Sequence, residues 1–252
     1  MHIAGARVLV TGGARRLGRA IALGLGERGA QVAFTYHRSA GEAESTAASL
    51  AAAGAGGHAI AADLGDGHAA RRAVEEAAAA LGGLDVLVHA ASGGFVPCDP
   101  AEVEPALFAD ALGATLTGGF FCAQAARSAM REHGVIVNVT DVAALEAWPL
   151  FAPHAAAKAA LAQLTRSLAR AFAPGVRVCA VAPGPVLLPD GSDGERGARQ
   201  AARTALGRLG SPDDVVEAVA YLIEADFVTG EQLVVDGGHT LLRDAEGWIQ
   251  TA

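Results

Sequence analysis

The chain has 252 residues, a length that one α/β domain can fill, and 52% of them are hydrophobic, which is enough for one large core. The net charge of −8 argues against a nucleic-acid partner and against binding to an anionic membrane surface. Three scattered cysteines without a CxxC pair predict neither a metal site nor a disulfide framework. No signal peptide is recognisable, and the uncharged stretch at 111–126 is shorter than a membrane span, so we expect a cytoplasmic protein.

Short apolar runs alternate along the chain with stretches rich in alanine and leucine that are long enough for helices. The predicted strands are residues 7–11, 31–36, 58–61, 85–89, 135–140, 176–181 and 232–235. The predicted helices are residues 16–28, 41–53, 67–81, 105–131, 154–172 and 212–224. This alternation predicts βαβ units and one Rossmann-type α/β domain over residues 1–252, a doubly wound parallel sheet of about seven strands with helices on both faces.

A glycine-rich turn, T-G-G-A-R-R-L-G at residues 11–18, follows the first predicted strand and begins the first helix. Glycines allow a backbone to approach a pyrophosphate, and the N-terminus of a helix favours its negative charge. The turn therefore predicts a dinucleotide site. The expected contacts come from Thr11, Gly12, Arg15, Arg16, Leu17 and Gly18.

The end of the second strand indicates which dinucleotide binds. NAD-specific sites place a carboxylate there to bind the ribose, whereas this chain has the run Y-H-R-S at 36–39 and no acidic residue over 31–41. Arg38 and Ser39 can bind a 2′-phosphate by charge and hydrogen bonds. The sequence predicts NADP(H), with Tyr36, His37, Arg38 and Ser39 beside it; the alternative is that Arg38 only caps a solvated turn.

Three residues in the second half of the chain carry groups suited to proton transfer. His154 and Lys158 are four positions apart on a predicted helix and therefore share one face of it. Asp141 directly follows the fifth predicted strand. Imidazole suits acid–base chemistry near neutral pH, and a nearby carboxylate stabilises its charged form. We predict that Asp141, His154 and Lys158 form the catalytic group.

The least regular segment, residues 183–196, contains three prolines and three glycines and shows no periodicity. It follows the carboxyl end of a predicted strand, which is where open α/β sheets bind ligands. A loop of this length in a compact domain is usually functional. We predict a flap near 183–205 that covers the substrate; the alternative is a surface loop without a function.

In order and spacing, these motifs resemble the short-chain dehydrogenase/reductase family over nearly the whole chain. The turn at 11–18, His154 with Lys158, Pro183 with Gly184, and the run V-D-G-G at 235–238 carry the resemblance. That family normally has Tyr-x-x-x-Lys where this chain has His154 and Lys158. An arginine at the middle glycine of the turn and an aspartate at 141 resemble the pteridine reductases within the family. The resemblance implies an oxidoreductase whose catalytic tyrosine is replaced by histidine.

The resemblance also implies roles for residues at the ends of other strands. Cofactor contacts are implied for Asp63, Leu64, Ala90, Ala91, Lys158, Pro183 and Gly184, and substrate contacts for Ser92, Phe95 and Trp148. His89 and Ala90 stand where the family has two asparagines, so the hydrogen bonds of those asparagine side chains are expected to be missing. Thr115 stands where the family has a further asparagine that anchors a water, and its hydroxyl could still hold that water. Members of the family form homotetramers, so we expect a homo-oligomer, either a tetramer or a dimer.

Together these features predict hydride transfer between NADP(H) and a small molecule that is a carbonyl, an imine or a pterin-like compound. Two alternatives stay open because the chain's only tyrosines, Tyr36 and Tyr221, are not expected at the substrate. One is an NADP(H)-binding relative without redox activity, in which His154 is a polar residue left in a silent pocket. The other is an enzyme that uses Asp141 and His154 for a non-redox elimination or cyclisation.

Overall fold

Seven parallel strands form one sheet in the part of the chain that the computed structural model describes, residues 1–130, 133–188 and 194–242. The strands are β1 (Arg7–Thr11), β2 (Gln31–Tyr36), β3 (Gly56–Ala61), β4 (Val86–His89), β5 (Gly134–Val139), β6 (Val176–Pro183) and β7 (Gln232–Val235). Their spatial order is β3-β2-β1-β4-β5-β6-β7, and every neighbouring pair is parallel. The predicted doubly wound parallel sheet is confirmed.

The central strands are apolar on both faces, which is why helices cover the sheet on both sides. Val8 and Val10 of β1 belong to the core on one face, whereas Leu9 between them belongs to the core on the other. Successive side chains of a strand point to opposite faces, so a continuous apolar run buries both. Each fully buried side chain of this kind contributes about 1.5–3 kcal/mol relative to exposure.

The helices divide between the two faces of the sheet. They are α1 (Arg16–Glu27), α2 (Ala40–Ala52), α3 (Gly67–Leu81), α4 (Pro105–Leu112), α5 (Gly118–Ala129), α6 (Ala152–Phe172), α7 (Gly194–Ala201) and α8 (Pro212–Glu224). Buried residues of α1, α2 and α8 pack with Val8 and Val10, and those of α3, α5 and α6 pack with Leu9. The sheet is thus the middle layer of three.

The helix predicted at 105–131 is not continuous. A π-helical segment, Gly113–Thr117, separates α4 from α5, and Arg131 lies outside the described residues. By length and composition the run Pro105–Ala129 is the one described helix that could cross a membrane. Its Cys122, Ala123 and Ala126 nevertheless lie in the core shared with α3, as in a core helix of a three-layer domain.

The segment predicted as a flap contains a helix that its sequence did not indicate. Helix α7 covers Gly194–Ala201, so the irregular stretch ends earlier than predicted. Residues 189–193 of the predicted flap lie outside the described part of the chain. In eight residues this helix has two glycines, which disfavour helices, and no apolar side chain larger than that of alanine, so its sequence gave little sign of a helix.

The site is positioned by the reversal of strand order at β1. The chain proceeds outward from β1 to β2 and β3, then returns to place β4 on the other side of β1. Adjacent loops leave the sheet there in opposite directions and open a crevice at the carboxyl ends of the strands. Thr11 at the end of β1 and His89 at the end of β4 are directly paired across this junction.

Candidate active site

The turn after β1 is built for close approach of a backbone. Gly12 has a positive φ of 66°, and a Cβ on it would lie 2.9 Å from the Cα atom of Ala91. A Cβ on Gly18 would collide with the carbonyl oxygen of Gly12. Helix α1 begins immediately afterwards, without an acidic residue in its first turn or a side chain capping its amides. Bare backbone and free amides at a helix N-terminus fit a pyrophosphate.

Arginines surround this turn. Arg16 adopts the left-handed region with φ 52°, a conformation that favours glycine and that costs other residues about 1 kcal/mol or more. Its guanidinium donates to the carbonyl oxygen of Leu188 at 3.3 Å, which connects the turn to the start of the predicted flap. Arg15, Arg16, Arg19 and Glu42 line a cleft of about 440 Å³ between the turn and α2. The cleft therefore carries a net positive charge.

The end of β2 presents the predicted ribose-side residues. His37 and Arg38 are exposed, and Ser39 directly precedes α2 without capping it, so its hydroxyl is uncommitted to the helix amides. The Nε2 atom of His37 lies 4.0 Å from a carboxylate oxygen of Asp63. Leu64, next to Asp63, is buried, whereas the Tyr36 side chain is partly buried at the strand end.

His89 corrects one expectation from the sequence. Side-chain hydrogen bonds are not missing at this position, because the fully buried imidazole makes two of its own. Its Nδ1 atom lies 2.9 Å from the Thr11 hydroxyl, and its Nε2 atom lies 3.0 Å from the Thr115 carbonyl oxygen. The Thr11 hydroxyl also accepts from the amides of Ala90 and Ala91 at 3.1 and 3.2 Å. Burial lowers the pKa of His89 from 6.5 to about 4, so the ring is neutral.

Lys158 is buried against the carboxyl end of β5. Its Nζ atom donates to the carbonyl oxygen of Val139 at 2.8 Å, and only 4% of the residue is exposed. Burial lowers the pKa of Lys158 from 10.5 to about 8, partly opposed by the negative charge of Asp141. The helix α6 thus delivers a cation to the crevice with one carbonyl partner and spare N–H donors.

Asp141 and His154 form the pair that the sequence predicted. The His154 Nε2 atom lies 3.7 Å from a carboxylate oxygen of Asp141, too far for a direct hydrogen bond. The other carboxylate oxygen of Asp141 accepts from the amide of Ala143 at 2.8 Å, which fixes the group at the start of a short turn. His154 is 4% exposed, and neither ring nitrogen has a hydrogen-bond partner among the described residues. A buried imidazole in this state is ready for a ligand atom.

Aromatic rings cover this imidazole. Phe95 stacks on Phe151 with ring centroids 4.6 Å apart, and its ring meets His154 edge to face at 4.9 Å. Trp148 packs edge to face against Phe151 at 6.1 Å. Phe95 is about half exposed, so this wall of the pocket faces solvent. The rings that were predicted at the substrate therefore lie beside the predicted acid.

His239 has a carboxylate partner in the structure. Its Nε2 atom lies 3.5 Å from a Glu146 carboxylate oxygen that also accepts from the Trp148 indole at 2.8 Å. No spacing in the sequence relates residues 146 and 239.

Pro183 and Gly184, at the end of β6, lie against the residue that follows β7. A Cβ on Gly184 would be only 2.6 Å from the Cβ of Asp236.

Known proteins are similar to this chain over most of its length. A family model described as enoyl-(acyl carrier protein) reductase matches residues 12–240. An L-rhamnose 1-dehydrogenase (NAD(P)(+)) of Azotobacter vinelandii is 37% identical over 246 residues, 92% of this chain and 95% of that protein.

Two solved structures extend the likeness to the fold. A short chain dehydrogenase from Burkholderia cenocepacia in complex with NADP is 35% identical, with a TM-score of 0.90 over 95% of this chain and 100% of that one. FolM alternative dihydrofolate reductase 1 from Brucella canis, complexed with NADP, is 32% identical, with a TM-score of 0.90 over 99% and 100%. The fold is thus shared over nearly the whole chain.

The buried His89 makes stability depend on acid. Its pKa is about 4 in the folded protein and near the ordinary 6.5 in the unfolded chain, so only the unfolded chain takes up this proton between those values. The free energy of unfolding is therefore highest above pH 6.5 and falls by about 3 kcal/mol as the pH drops to 4.

Denaturant unfolding of the His89→Asn variant at several pH values between 7.5 and 4.5 checks this. Between pH 6.5 and 4.5 the acid slope of the variant should be smaller by about 1.4 kcal/mol per pH unit, whereas above pH 6.5 the slopes should agree. The matched control is His58→Asn, which removes an exposed histidine of β3 and should keep the original slope. Equal slopes in all three proteins would contradict the assignment.

Proposed function

The chain belongs to the short-chain dehydrogenase/reductase family of oxidoreductases, and we propose that it transfers hydride between NADP(H) and a carbonyl, imine or pterin-like substrate, with Asp141 and His154 handling the proton. The observation that carries the proposal is the buried His154 imidazole, which has no hydrogen-bond partner among the described residues and stands under an aromatic wall. A silent pocket would gain nothing from an unsatisfied buried imidazole, which carries a desolvation cost of about 1–3 kcal/mol.

The residues present fit a phosphorylated dinucleotide. The turn around Gly12 and Gly18 would receive the pyrophosphate, and Arg38, Ser39 and the arginine-lined cleft would offer charge and donors for a 2′-phosphate. Lys158 offers its free N–H donors to ribose hydroxyls. When bound, the cofactor supplies a hydride from its nicotinamide ring. A carboxylate that would repel the 2′-phosphate is absent over 31–41.

His154 is the proposed acid of the reaction. An Nε2–H proton is not held by Asp141 at 3.7 Å, so it remains available to a substrate oxygen or nitrogen. The Asp141 carboxylate, anchored by the Ala143 amide, stabilises the imidazolium before transfer. Neither tyrosine of the chain competes for this role: Tyr36 ends β2, and Tyr221 on α8 is 56% exposed.

The substrate proposed is flat and unsaturated. Phe95, Phe151 and Trp148 offer ring faces and edges beside His154, and such walls favour planar rings. The aspartate at 141 and the arginine in the turn resemble pteridine reductases, and the similarity to the Brucella canis FolM protein supports the same substrate class. For this chain, a homo-oligomer (tetramer or dimer) and a cytoplasmic location remain predictions.

A second function is favoured by the same Asp141 and His154 pair. A carboxylate and an imidazole without a tyrosine also suit a proton transfer that needs no hydride, such as an elimination. Consumption of NADPH distinguishes the two, because the non-redox enzyme would convert its substrate without oxidising the cofactor.

The preference for NADPH over NADH can be tested at Arg38. Arg38→Asp replaces a 2′-phosphate partner by a repelling carboxylate, so the affinity for NADPH should fall at least about tenfold while that for NADH is unchanged or higher. Calorimetric titration of both cofactors measures this. Arg19→Asp is not an adequate control because it lines the cleft; Arg72→Asp, exposed on α3, should change neither affinity. Equal affinities of the unmodified protein for NADPH and NADH would contradict the prediction.

The proposed role of His154 as the acid can be tested by substitution. With a panel of pterins, quinones and ketones, His154→Ala and Asp141→Asn should lower kcat by similar factors, about 10²–10⁴. The double variant should lose little more, as expected of groups that act together. Lys158→Ala should instead mainly weaken NADPH binding. A substrate reduced at the same rate by His154→Ala would remove the histidine from the mechanism.

A tyrosine at position 154 should restore the reduction of ketones. A tyrosine in place of His154 would present a phenol beside the buried Lys158 cation, which favours the phenolate and so makes the phenol a stronger acid. His154→Tyr should therefore raise ketone reduction, by up to the 10²–10⁴-fold typical of general acids. Rates of NADPH oxidation with and without ketone provide the measurement, and His154→Phe controls for the added ring. No gain for any ketone would show that the pocket as a whole has diverged.

A further inference from the structure

Three separate parts of the chain converge on the imidazole of His89. The ring stands at the end of β4, fully buried, between Thr11 at the end of β1 and Thr115 in the π-helical segment. The first turn of α5 leaves room for it, since a Cβ on Gly119 would lie 3.2 Å from the ring atoms Cδ2 and Nε2. The space is therefore shaped around an imidazole and not around a smaller side chain.

The partners of His89 define its tautomer. The Thr115 carbonyl oxygen can only accept, so the Nε2 atom at 3.0 Å carries the hydrogen. A neutral ring then has a bare Nδ1, which accepts from the Thr11 hydroxyl at 2.9 Å. That hydroxyl has spent its hydrogen and uses its oxygen to accept from the amides of Ala90 and Ala91. Each donor in this set meets an acceptor.

The same bonds reach the loop at the substrate. The Thr115 hydroxyl lies 3.3 Å from the Ser92 hydroxyl and accepts from the Gly93 amide at 3.4 Å. Two residues further on, Phe95 meets the ring of His154. A continuous line of contacts thus runs from the turn beside Gly12, through His89 and Thr115, to the wall of the pocket.

We propose that His89, as the neutral Nε2–H tautomer, is a positioning residue that couples the turn receiving the cofactor to the Ser92–Phe95 loop receiving the substrate. The proposal rests on the proposed function in so far as this loop belongs to a reductase pocket. Neutrality also matters for Lys158, since the two side chains interact electrostatically and a second buried cation would repel the first. Removing the ring should loosen both halves of the site together, whereas removing the Thr115 hydroxyl should loosen only the loop.

Nuclear magnetic resonance of the unliganded protein tests the tautomer without any activity. Nitrogen-15 spectra of the histidine side chains, with His89 assigned through the His89→Asn variant, should show a protonated Nε2 and a bare Nδ1 at neutral pH. A doubly protonated ring or the Nδ1–H tautomer would overturn the proposal.

Amide hydrogen exchange tests the coupling in the same unliganded protein. His89→Leu should increase exchange at Ala90, Ala91 and Gly93 by about tenfold or more, because each loses the bond that fixes its acceptor. Thr115→Val, which keeps the carbonyl bonded to His89, should increase exchange only at Gly93. Amides of β6 serve as the internal control and should not change in either variant. A uniform increase at all sites would mean a merely structural role and would reject the coupling.

Ligand measurements complete the test. His89→Leu should weaken NADPH binding and raise the KM for substrate, each by about tenfold, whereas Thr115→Val should raise KM alone with little change in kcat. If His89→Leu does not fold, Thr115→Val and the nitrogen-15 spectra still decide the matter. If the protein turns over no substrate at all, the proposed function fails, while exchange and NADPH titration continue to test the coupling. A change confined to one half of the site in His89→Leu would reject it.

Discussion

The junction between β1 and β4 is the constraint on which the site depends. The two strands pair in parallel at the centre of the sheet, and the last pair of residues in register is Thr11 and His89. Both strands are apolar on both faces, so packing from two layers holds this register. Everything that follows each strand, the glycine turn on one side and the loop to Phe95 on the other, begins from a position that the core has already fixed.

Charge inside the crevice is balanced by few groups. Lys158 contributes one cation, whose hydrogen-bond partner is the carbonyl oxygen of Val139. Burial lowers the pKa of Lys158, and the negative charge of Asp141 partly opposes that lowering. His89 contributes no charge because burial holds its pKa near 4. The Nε2 atom of His154 lies 3.7 Å from the Asp141 carboxylate, and neither of its ring nitrogens has a hydrogen-bond partner among the described residues. The residue proposed to bind the cofactor, Lys158, is thus distinct from the residue proposed to transfer the proton, His154.

The two ends of the crevice differ in how firmly they are built. At the end proposed to bind the dinucleotide, the crevice consists of closely approaching backbone and exposed arginine side chains, which can adapt to a ligand at little cost. At the other end the aromatic wall is held by contacts between rings and by Glu146, whose carboxylate fixes the Trp148 indole and approaches His239. Exchange of single residues in this wall should therefore alter which substrates fit while leaving cofactor binding unchanged.

The sequence by itself determined the parallel sheet and the dinucleotide turn, because both depend on local features of the chain, namely runs of apolar residues and the positions of glycines. It also placed Asp141, His154 and Lys158 together, since a strand end and one helix face bring them there. It did not determine the π-helical interruption at Gly113–Thr117, the helix α7 or the pairing of Glu146 with His239. Only the tertiary structure decided those features. It also showed that His89 forms hydrogen bonds with Thr11 and Thr115, 78 and 26 residues away along the chain. Such partners are brought together by packing and leave no pattern in the sequence.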